Sequence, residues 1–531
     1  MPEPRSPEPN TEAASAPAGP SILPDHSPRI WLALLGLAMV LPRLIWLGDA
    51  RWTGEESWFF NEIVLTAQGM RWSGVGTPVS GTEGFHPGPY FYWLLAPFAL
   101  TSSPKLVALG VALLDAAAQL IALAALNRFW AERPVPQRRM ALIAAAALLA
   151  ISPWALLYAD RPWNSNLVSL PVAAALWGYA HWSRSGKLGP FLALTAGLGT
   201  LPSFHLSAPL LGVPLLIMVA RRWRLLNGRT VLAAALLSAA IWTPYTLSEL
   251  RSGGANTRGL MKRTLPPVRG FDNAALAISW PLRMTSPAIG YHAQRGYWTP
   301  YEPAAFARPK SRQGKRWWTI HGDLALPGTL IGLLLAIGAW LLWLRGLRRH
   351  SDPMTVILTA GTLLGWALLI VAGRRAYPHY LQPLLPLYVG AVALGIAQVP
   401  KRFRRATLVL LGIHLATGLL VTQRFYHHND RPYGLDANIL SAELIEGLGR
   451  TRPVFCGALG YRHRGQLHQI SRHSHPRAVL DSRERVLVHA LSHQIPPQVS
   501  DHSVWRREAH GLSHLLLVEA LPLDWRKLGC H

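Results

Sequence analysis

The chain has 531 residues, of which 50% are hydrophobic and only 15% are charged, and it contains 22 tryptophans. Its mean hydropathy is positive, and apolar segments near twenty residues recur along most of its length. Each is long enough to cross the roughly 30 Å hydrocarbon core of a bilayer, so the composition excludes an ordinary soluble protein and predicts an all-α polytopic membrane protein. The 52 Lys and Arg against 27 Asp and Glu give a formal charge of +25, but most of these cations cluster between apolar segments. That placement is typical of membrane topology rather than of a nucleic-acid partner.

The chain begins with a polar tail, residues 1–28, which is rich in Pro, Ser, Ala and Glu and is predicted to be disordered in the cytoplasm. The next segment is predicted to be an uncleaved anchor, because a long polar tail precedes it and no clear signal-peptide cleavage site is evident. The predicted transmembrane domain, residues 29–423, contains about eleven spans. These are 30–47, 105–127, 140–158, 164–182, 188–203, 206–220, 230–249, 325–344, 354–372, 377–398 and 406–423.

The basic clusters decide the orientation of these spans. If the short apolar run 90–100 lies in the membrane interface, five basic clusters fall on one side, which the positive-inside rule makes cytoplasmic. They lie within residues 128–139, 184–187, 221–229, 345–349 and 401–405. The outer side then receives residues 48–104, predicted to be a catalytic loop with interfacial helices, and the long loop 251–324, a candidate lid.

The last part of the chain, residues 424–531, also falls on the outer side. Its short apolar runs alternate with polar turns, which predicts a small α/β soluble domain. Cys456 and Cys530 both lie there, so one disulfide could form in an oxidising compartment. The histidines of this domain lack zinc-ligand spacing, and a His-rich surface is the simpler interpretation.

Two adjacent carboxylates follow the first predicted span. Glu55 and Glu56 would diverge by about 100° on a helix, so only one of them can point into a given site. One could serve as a general base, or both could be hydrated acids at a helix N-terminus. His86, on a His-Pro-Gly-Pro turn, is placed to bind a lipid phosphate, although it could also be an ordinary turn residue.

Several cations depart from the positive-inside pattern. Arg161, Arg374 and Arg375 lie at span ends on the predicted outer side, where their forked donors could bind phosphate oxygens or anchor lipid headgroups. His205 could contact a phosphate or be a structural residue at a helix end. Asp115 lies inside the second predicted span and is a functional candidate with no evident partner, whereas Arg43 is placed to snorkel to the interface.

Three stretches in this order resemble motifs of the lipid-carrier-dependent membrane glycosyltransferases of the GT-C fold, the group of protein O-mannosyltransferases and bacterial aminoarabinose transferases. GlyGluGluSerTrpPhe is similar to the acidic motif that supplies the catalytic carboxylate. HisProGlyProTyrPheTyrTrpLeu is similar to a His/Lys-Pro-Pro motif that binds the carrier phosphate. ArgArgAlaTyrProHisTyr is similar to a late motif near the donor phosphate. The resemblance covers roughly residues 30–423.

Two departures from the family pattern stand out. Glu replaces the usual Asp, with Glu55 preferred over Glu56 as the catalytic residue. Gly88 replaces the second Pro of the basic motif, which is expected to loosen that turn. The tyrosines within the motifs, Tyr90, Tyr377 and Tyr380, are candidates for substrate contact.

The resemblance implies transfer of a sugar from a polyprenyl-phosphate carrier to an acceptor hydroxyl, with inversion, at the periplasmic face of a bacterial inner membrane. Membrane lipid and the lipid-linked donor are the expected partners, and the acceptor is a protein, a lipid or a glycan. No cofactor is required, and although a divalent metal is compatible with the chemistry, no residue pattern indicates one. The alternatives are a transporter or lipid flippase, which would show inverted repeats, and a polymerase or ligase acting on lipid-pyrophosphate glycans.

Overall fold

The structure is a computed structural model, and it describes residues 28–49, 54–151, 156, 159, 161–262, 330–331, 334, 337–338, 353–371, 378–425, 454–455, 460–463 and 466–469. Several predicted features lie outside the described residues: the N-terminal tail, Arg374, Arg375, Tyr377, Cys456, Cys530 and most of the candidate lid and the C-terminal domain. For Glu55, only the backbone is described.

Helices dominate the described residues, and ten of the eleven predicted spans coincide with helical segments there. The long helices are α1 (Pro28–Ile45), α2 (Gly54–Ala67), α4 (Pro104–Phe129), α5 (Val135–Ile151), α6 (Ser169–Ser185), α7 (Leu188–Phe204), α8 (Pro209–Ala220), α9 (Gly228–Arg251), α11 (Pro353–Val371), α12 (Leu385–Ala397) and α13 (Arg404–Phe425). Two short helices, α3 (Tyr90–Leu95) and α10 (Ala255–Met261), accompany them, and single 3-10 turns lie at Leu47–Asp49, Ala96–Ala99, Trp223–Leu225, Pro378–Leu384 and Lys401–Phe403.

By length and hydropathy, three of the described helical segments could cross a membrane unaided: Pro104–Phe129, Gly228–Arg251 and His379–Ala397. Four shorter apolar helices accompany them in the described part of the chain. The prediction of an all-α membrane architecture is therefore supported, whereas the figure of eleven spans stays a prediction. The apolar run after His86 forms only α3 and a 3-10 turn, which is too short to span, as expected.

One predicted boundary was wrong. The span expected at 164–182 begins only at Ser169, and residues 161–168 form an irregular turn. The Asn164 side chain donates to the carbonyl of Phe204 (2.6 Å), and the Asn166 side chain donates to the carbonyl of Arg161 (2.9 Å). These bonds favour a folded loop over another helical turn, because asparagine side chains compete with the helix for backbone partners.

Small residues bring the central helices into close contact. α6 packs against both α4 and α7, and α5 packs against α12. A Cβ on Gly197 of α7 would lie 2.5 Å from the carbonyl oxygen of Pro171 and 2.6 Å from the amide nitrogen of Ala175, so only glycine permits this approach to α6. Close approach through small residues is the usual way in which membrane helices gain packing energy.

A buried ion pair ties four helices together, which corrects two predictions. Arg43 is only 2% exposed, so it does not snorkel, and its Nε donates to the Asp115 carboxylate at 2.8 Å. Its other nitrogens donate to the carbonyls of Met39 and Leu149, and the hydroxyl of Ser169 donates to Asp115 (2.8 Å). Asp115 therefore has the partner that the sequence did not reveal, because the two residues are 72 positions apart. The pair links α1, α4, α5 and α6.

The two predicted outer loops meet. Strands β1 (Val75–Pro78) and β2 (Phe85–Pro87) form an antiparallel hairpin in the first loop. From α10, the side chain of Asn256 accepts from the Phe85 amide (2.6 Å) and donates to the Phe85 carbonyl (3.0 Å), as a neighbouring strand would. Lys262 also pairs with Glu83 at 2.7 Å. The described start of the long loop is therefore fixed to the hairpin that carries His86.

In the C-terminal region, the described residues form the strands β3 (Val454–Phe455), β4 (Gly460–His463) and β5 (Gln466–Gln469) of one antiparallel sheet. The α/β character of the whole domain stays a prediction.

Candidate functional site

The candidate site lies at the helix ends that are opposite the arginine-rich turns. The turns that contain Arg133, Arg184 and Arg221–Arg224 join one set of helix ends, which we call the basic end. The opposite set, the site end, carries the start of α2, the hairpin, the 161–168 turn, the end of α7 and the 3-10 turn before α12. Polar residues from these elements meet at the site end.

Glu56 and Arg161 form a buried ion pair at this end. Arg161 Nε donates to Glu56 Oε1 at 2.8 Å, and Nη2 bonds to the same oxygen. Glu56 is fully buried, and Arg161 is 8% exposed. The guanidinium carbon also lies 5.3 Å from the centre of the Trp163 ring, within cation–π range. The Glu56 carboxylate thus accepts two charge-assisted bonds at one oxygen, which hold it and the guanidinium in a fixed arrangement.

His86 is held in place through both ring nitrogens. Nδ1 lies 3.2 Å from the carbonyl oxygen of Pro202, which can only accept, so Nδ1 carries the proton. Nε2 then accepts from the side-chain amide of Asn164 at 3.3 Å. Burial lowers the pKa of His86 to about 4, with the Pro202 bond opposing the shift. In this arrangement His86 is a neutral, fixed ring, whereas the sequence suggested a group able to act as a cation.

His205 presents the opposite tautomer. The backbone amide of Ser207 donates to its Nδ1 (3.1 Å), so the neutral ring carries its proton on Nε2. Burial lowers the pKa of His205 well below its usual value, with smaller contributions from His379 and His86. The ring centre lies 5.8 Å from that of His86 and 5.3 Å from that of His379. His205 thus brings a neutral N–H donor into the cluster.

The residues after the late arginine motif complete the cluster. His379 packs edge-on against Trp163, with ring centres 4.6 Å apart, and Tyr380 lies 5.0 Å from the ring centre of His205. The segment that follows Arg374 and Arg375 therefore enters the same site as Arg161 and His205. Among the described residues, no three His, Cys, Asp or Glu side chains are arranged to hold a metal ion, and metal independence stays a prediction.

The turn after His86 corrects the expectation that Gly88 loosens it. Gly88 has φ +93°, which proline cannot adopt, because its ring fixes φ near −65°. A Cβ at this position would also lie 2.5 Å from Ser203 Oγ. Ser203 donates to the carbonyl of Pro87, so the turn is fixed against the end of α7. Glycine here allows a tight contact rather than a looser turn.

A chain of hydrogen bonds connects the site to the buried pair in the helices. Asn166 donates to the carbonyl of Arg161, and the carbonyl of Asn166 accepts from the hydroxyl of Ser169 (3.1 Å). The same hydroxyl lies 2.8 Å from the Asp115 carboxylate. The turn that carries Arg161 is therefore positioned by the Arg43–Asp115 pair.

The structure brings together five of the predicted site residues: Glu56, His86, Arg161, His205 and Tyr380. The sixth with a described side chain, Tyr90, donates to the carbonyl of Ile241 at 2.5 Å and so fixes α3 to α9. Their roles in binding or catalysis stay predictions. Sequence reasoning missed Trp163, Asn164, Ser203 and His379. Trp163 and Asn164 follow Arg161 by two and three residues, and His379 lies inside the arginine motif quoted above, so proximity to motif residues was the available signal.

Two solved structures of ArnT from Cupriavidus metallidurans are similar to the chain over most of its length. The structure in the apo state matches with a TM-score of 0.50 and 11% identity, and the match covers 86% of this chain and 84% of that one. The structure bound to undecaprenyl phosphate matches with a TM-score of 0.51 and 12% identity over 89% of each chain. The chain has the GT-C fold. The predicted GT-C architecture is thereby confirmed at the level of the fold.

An Archaeoglobus fulgidus oligosaccharyltransferase in complex with zinc and sulfate matches with a lower TM-score of 0.43 and 14% identity, covering 86% of this chain and 61% of that one. No protein-family model matches the chain, and no curated protein matches it by sequence.

Proposed function

We propose that the protein transfers a sugar from a polyprenyl-phosphate carrier to an acceptor hydroxyl at the membrane surface. The observation that carries this proposal is the buried Glu56–Arg161 pair surrounded by His86, His205 and His379 at one end of a GT-C bundle. The GT-C fold supports a lipid carrier as the donor, since the similar ArnT structure is bound to undecaprenyl phosphate. The site end is proposed to face the periplasm of a bacterial inner membrane, because the basic end collects the arginines.

We retain Glu55, the residue that the motif resemblance favours, as the proposed general base. Glu56 is already occupied by Arg161, which leaves the other glutamate of the motif as the candidate proton acceptor. In this proposal Glu56 holds Arg161 in position, while Glu55 accepts the proton of the acceptor hydroxyl as that oxygen attacks the anomeric carbon. The lipid phosphate leaves with the bonding electron pair. One carboxylate and a single displacement invert the anomeric configuration.

The leaving phosphate needs donors that are in place before the reaction. His205 supplies an N–H, and Arg161 supplies a fixed guanidinium. The Glu56–Arg161 pair has no net charge, and both His86 and His205 are neutral. The positive charge that the leaving phosphate still needs is therefore assigned to Arg374 and Arg375, which precede His379 by five and four residues. His86 binds phosphate in this proposal only after Nε2 gains a proton and Asn164 moves away.

The test is sugar transfer by the purified protein in lipid bilayers, with radiolabelled polyprenyl-phosphate sugars and a crude acceptor extract. We expect Glu55→Gln to lower the rate about 10²–10⁴-fold, the usual range for a general base. Glu62→Gln is the matched control, since Glu62 lies on the same helix, is 5% exposed and has its own partner, Arg71, at 2.7 Å. This control should transfer normally.

Glu56→Gln should lower the rate per folded molecule, because Arg161 loses the group that positions it, but by less than Glu55→Gln does. If Glu56→Gln abolishes transfer in folded protein and Glu55→Gln does not, the base lies one residue later than proposed. Transfer that is indifferent to both substitutions, or no sugar release from any lipid carrier, would overturn the proposal in favour of transport.

A further inference from the structure

A basic cavity lies at the end of the helices opposite the candidate site. Helix α8 begins four residues after His205 and, at 1.5 Å per residue, carries the chain about 18 Å away from it. Beyond its end, a cavity of about 640 Å³ lies between the turn 221–225 and the start of α11. The cavity is lined by three arginines, Arg221, Arg222 and Arg224, together with Trp223.

Only one of the three arginines has a structural role in the described fold. Arg222 donates to the carbonyl of Ser183 at 2.8 Å and so fastens the turn to the end of α6. Arg221 makes only a long contact with the sulfur of Met218 (3.9 Å). Within the residues that the structure describes, neither Arg221 nor Arg224 forms a salt bridge. Within the described part of the chain, Arg221 and Arg224 therefore line one cavity without a carboxylate in salt-bridge contact.

An apolar stripe on α8 leads to the cavity. Val213, Leu216 and Ile217 are 43%, 58% and 47% exposed, and their three- and four-residue spacing places them on one face of the helix. Trp223 is 65% exposed at the edge of the arginine turn. Tryptophan is enriched at the level of lipid headgroups, where its ring is half in the apolar layer and its N–H in water. The apolar stripe, Trp223 and the arginines therefore follow one another in the same order as the acyl chains, the interfacial region and the phosphate of a phospholipid.

We propose that this cavity binds the phosphate of an anionic phospholipid in the leaflet at the basic end, with the acyl chains along α8. Basic pockets between membrane helices are known to bind anionic headgroups, and each Arg near such a surface raises the affinity several-fold, up to about tenfold. The exposed apolar stripe favours a lipid over a free phosphate ion, which would leave those side chains uncovered. The binding is independent of the proposed sugar transfer, which takes place at the other end of the helices.

The sequence that precedes Pro353 is compatible with an anionic phospholipid in the cavity. Arg345, Arg348 and Arg349 precede Pro353, which lines the cavity, and the one nearby acid in that stretch is Asp352. The excess of positive charge suits a monoanionic or dianionic headgroup.

The test is native mass spectrometry of the full-length protein titrated with phosphatidylglycerol or with phosphatidylcholine of the same acyl chains. We expect the anionic lipid to bind at least tenfold more tightly. The double variant Arg221→Gln, Arg224→Gln should lose about 30-fold of that affinity, taking about fivefold for each arginine. Arg138→Gln, Arg139→Gln is the matched control, because it removes the same charge from the start of α5 at the basic end, and it should change binding less than twofold.

A third arm separates the lipid from a soluble ligand. Millimolar glycerol 3-phosphate should fail to displace the bound lipid. Raising the salt concentration should weaken binding more in the wild type than in the double variant, which keeps only Arg222 of the three cavity arginines. Equal affinity for the two lipids, an equal effect of both double variants, or full displacement by glycerol 3-phosphate would overturn the proposal. If the double variant melts at a lower temperature than the control, Arg224→Gln alone is used, and we expect about a fivefold loss.

Discussion

Breaking the Glu56–Arg161 pair should destabilise the protein far more than breaking an exposed pair. Glu56→Gln removes the charged carboxylate to which the guanidinium of Arg161, 8% exposed, donates two bonds. Removing one member of a buried pair typically costs about 3–5 kcal/mol, against about 0.2–1 kcal/mol for an exposed pair. Because the glutamine oxygen can still accept one bond, we expect about 3 kcal/mol. Arg161→Gln should cost a similar amount, since it removes two charge-assisted bonds from a fully buried carboxylate.

The double variant Glu56→Gln, Arg161→Gln removes both charges, so its loss should be at least about 2 kcal/mol smaller than the sum of the two single losses. The assay is reversible unfolding in mixed micelles of a mild and a denaturing detergent. Glu62→Gln serves as the control, because the side chain of its partner Arg71 is 55% exposed, and it should cost less than about 1 kcal/mol. If Glu56→Gln costs no more than this control, or if the two single losses add, the pair is not the buried, coupled unit that the geometry indicates.

Three further predictions follow from single contacts. As pH falls from the unfolded-state pKa of about 6.5 to the folded-state pKa of about 4, His86 binds a proton in the unfolded state but not in the folded state, so up to about 3 kcal/mol of stability present above pH 6.5 is lost. His86→Gln should make the melting temperature less dependent on pH over this window, and part of the dependence should stay because the pKa of His205 is also lowered. Gly88→Ala should lower the free energy of unfolding by about 2–3 kcal/mol, and Gly69→Ala by only about 1 kcal/mol. Both glycines have positive φ, but an added Cβ would meet a neighbouring atom only at Gly88. Equal losses for the two variants in chemical unfolding would refute this contact. Asp115→Asn should lower the free energy of unfolding by about 3–5 kcal/mol, because it removes the carboxylate that pairs with the buried Arg43. The double variant Asp115→Asn, Arg43→Met should recover part of that loss in the same assay. No recovery would contradict the pairing.

The helices could be predicted because each one is encoded locally. A run of apolar residues near the length of a bilayer core predicts a helix without reference to the rest of the chain. The basic clusters predict which helix ends lie on the same side of the membrane. The same counting placed Glu56, His86, Arg161 and His205 on one side, and the structure brings their side chains into one cluster. The boundary near residue 164 was missed, because the bonds that keep Asn164 and its neighbours out of a helix run to α7, 40 residues away.

Pairings between distant residues could not be predicted. Arg43 and Asp115 are each unremarkable alone, and their contact depends on how α1 packs against α4. The neutral state of His86 likewise follows from burial against Pro202 and Asn164, which no local motif encodes. Gly88 was misjudged for a related reason: φ at a glycine is set by the surface against which the turn packs, and here that surface is Ser203.

The most direct test of the proposed function is the chemical identity of the spent lipid. Purified protein in bilayers is supplied with a polyprenyl-phosphate sugar and an acceptor extract, and the lipid fraction is analysed by mass spectrometry before and after turnover. Transfer by the proposed displacement predicts accumulation of the polyprenyl monophosphate without its sugar, in proportion to the sugar that reaches the acceptor, and no accumulation with Glu55→Gln. A pyrophosphate lipid product, or an intact sugar lipid moved across the bilayer, would contradict the proposal and assign the site to a polymerase, a ligase or a flippase.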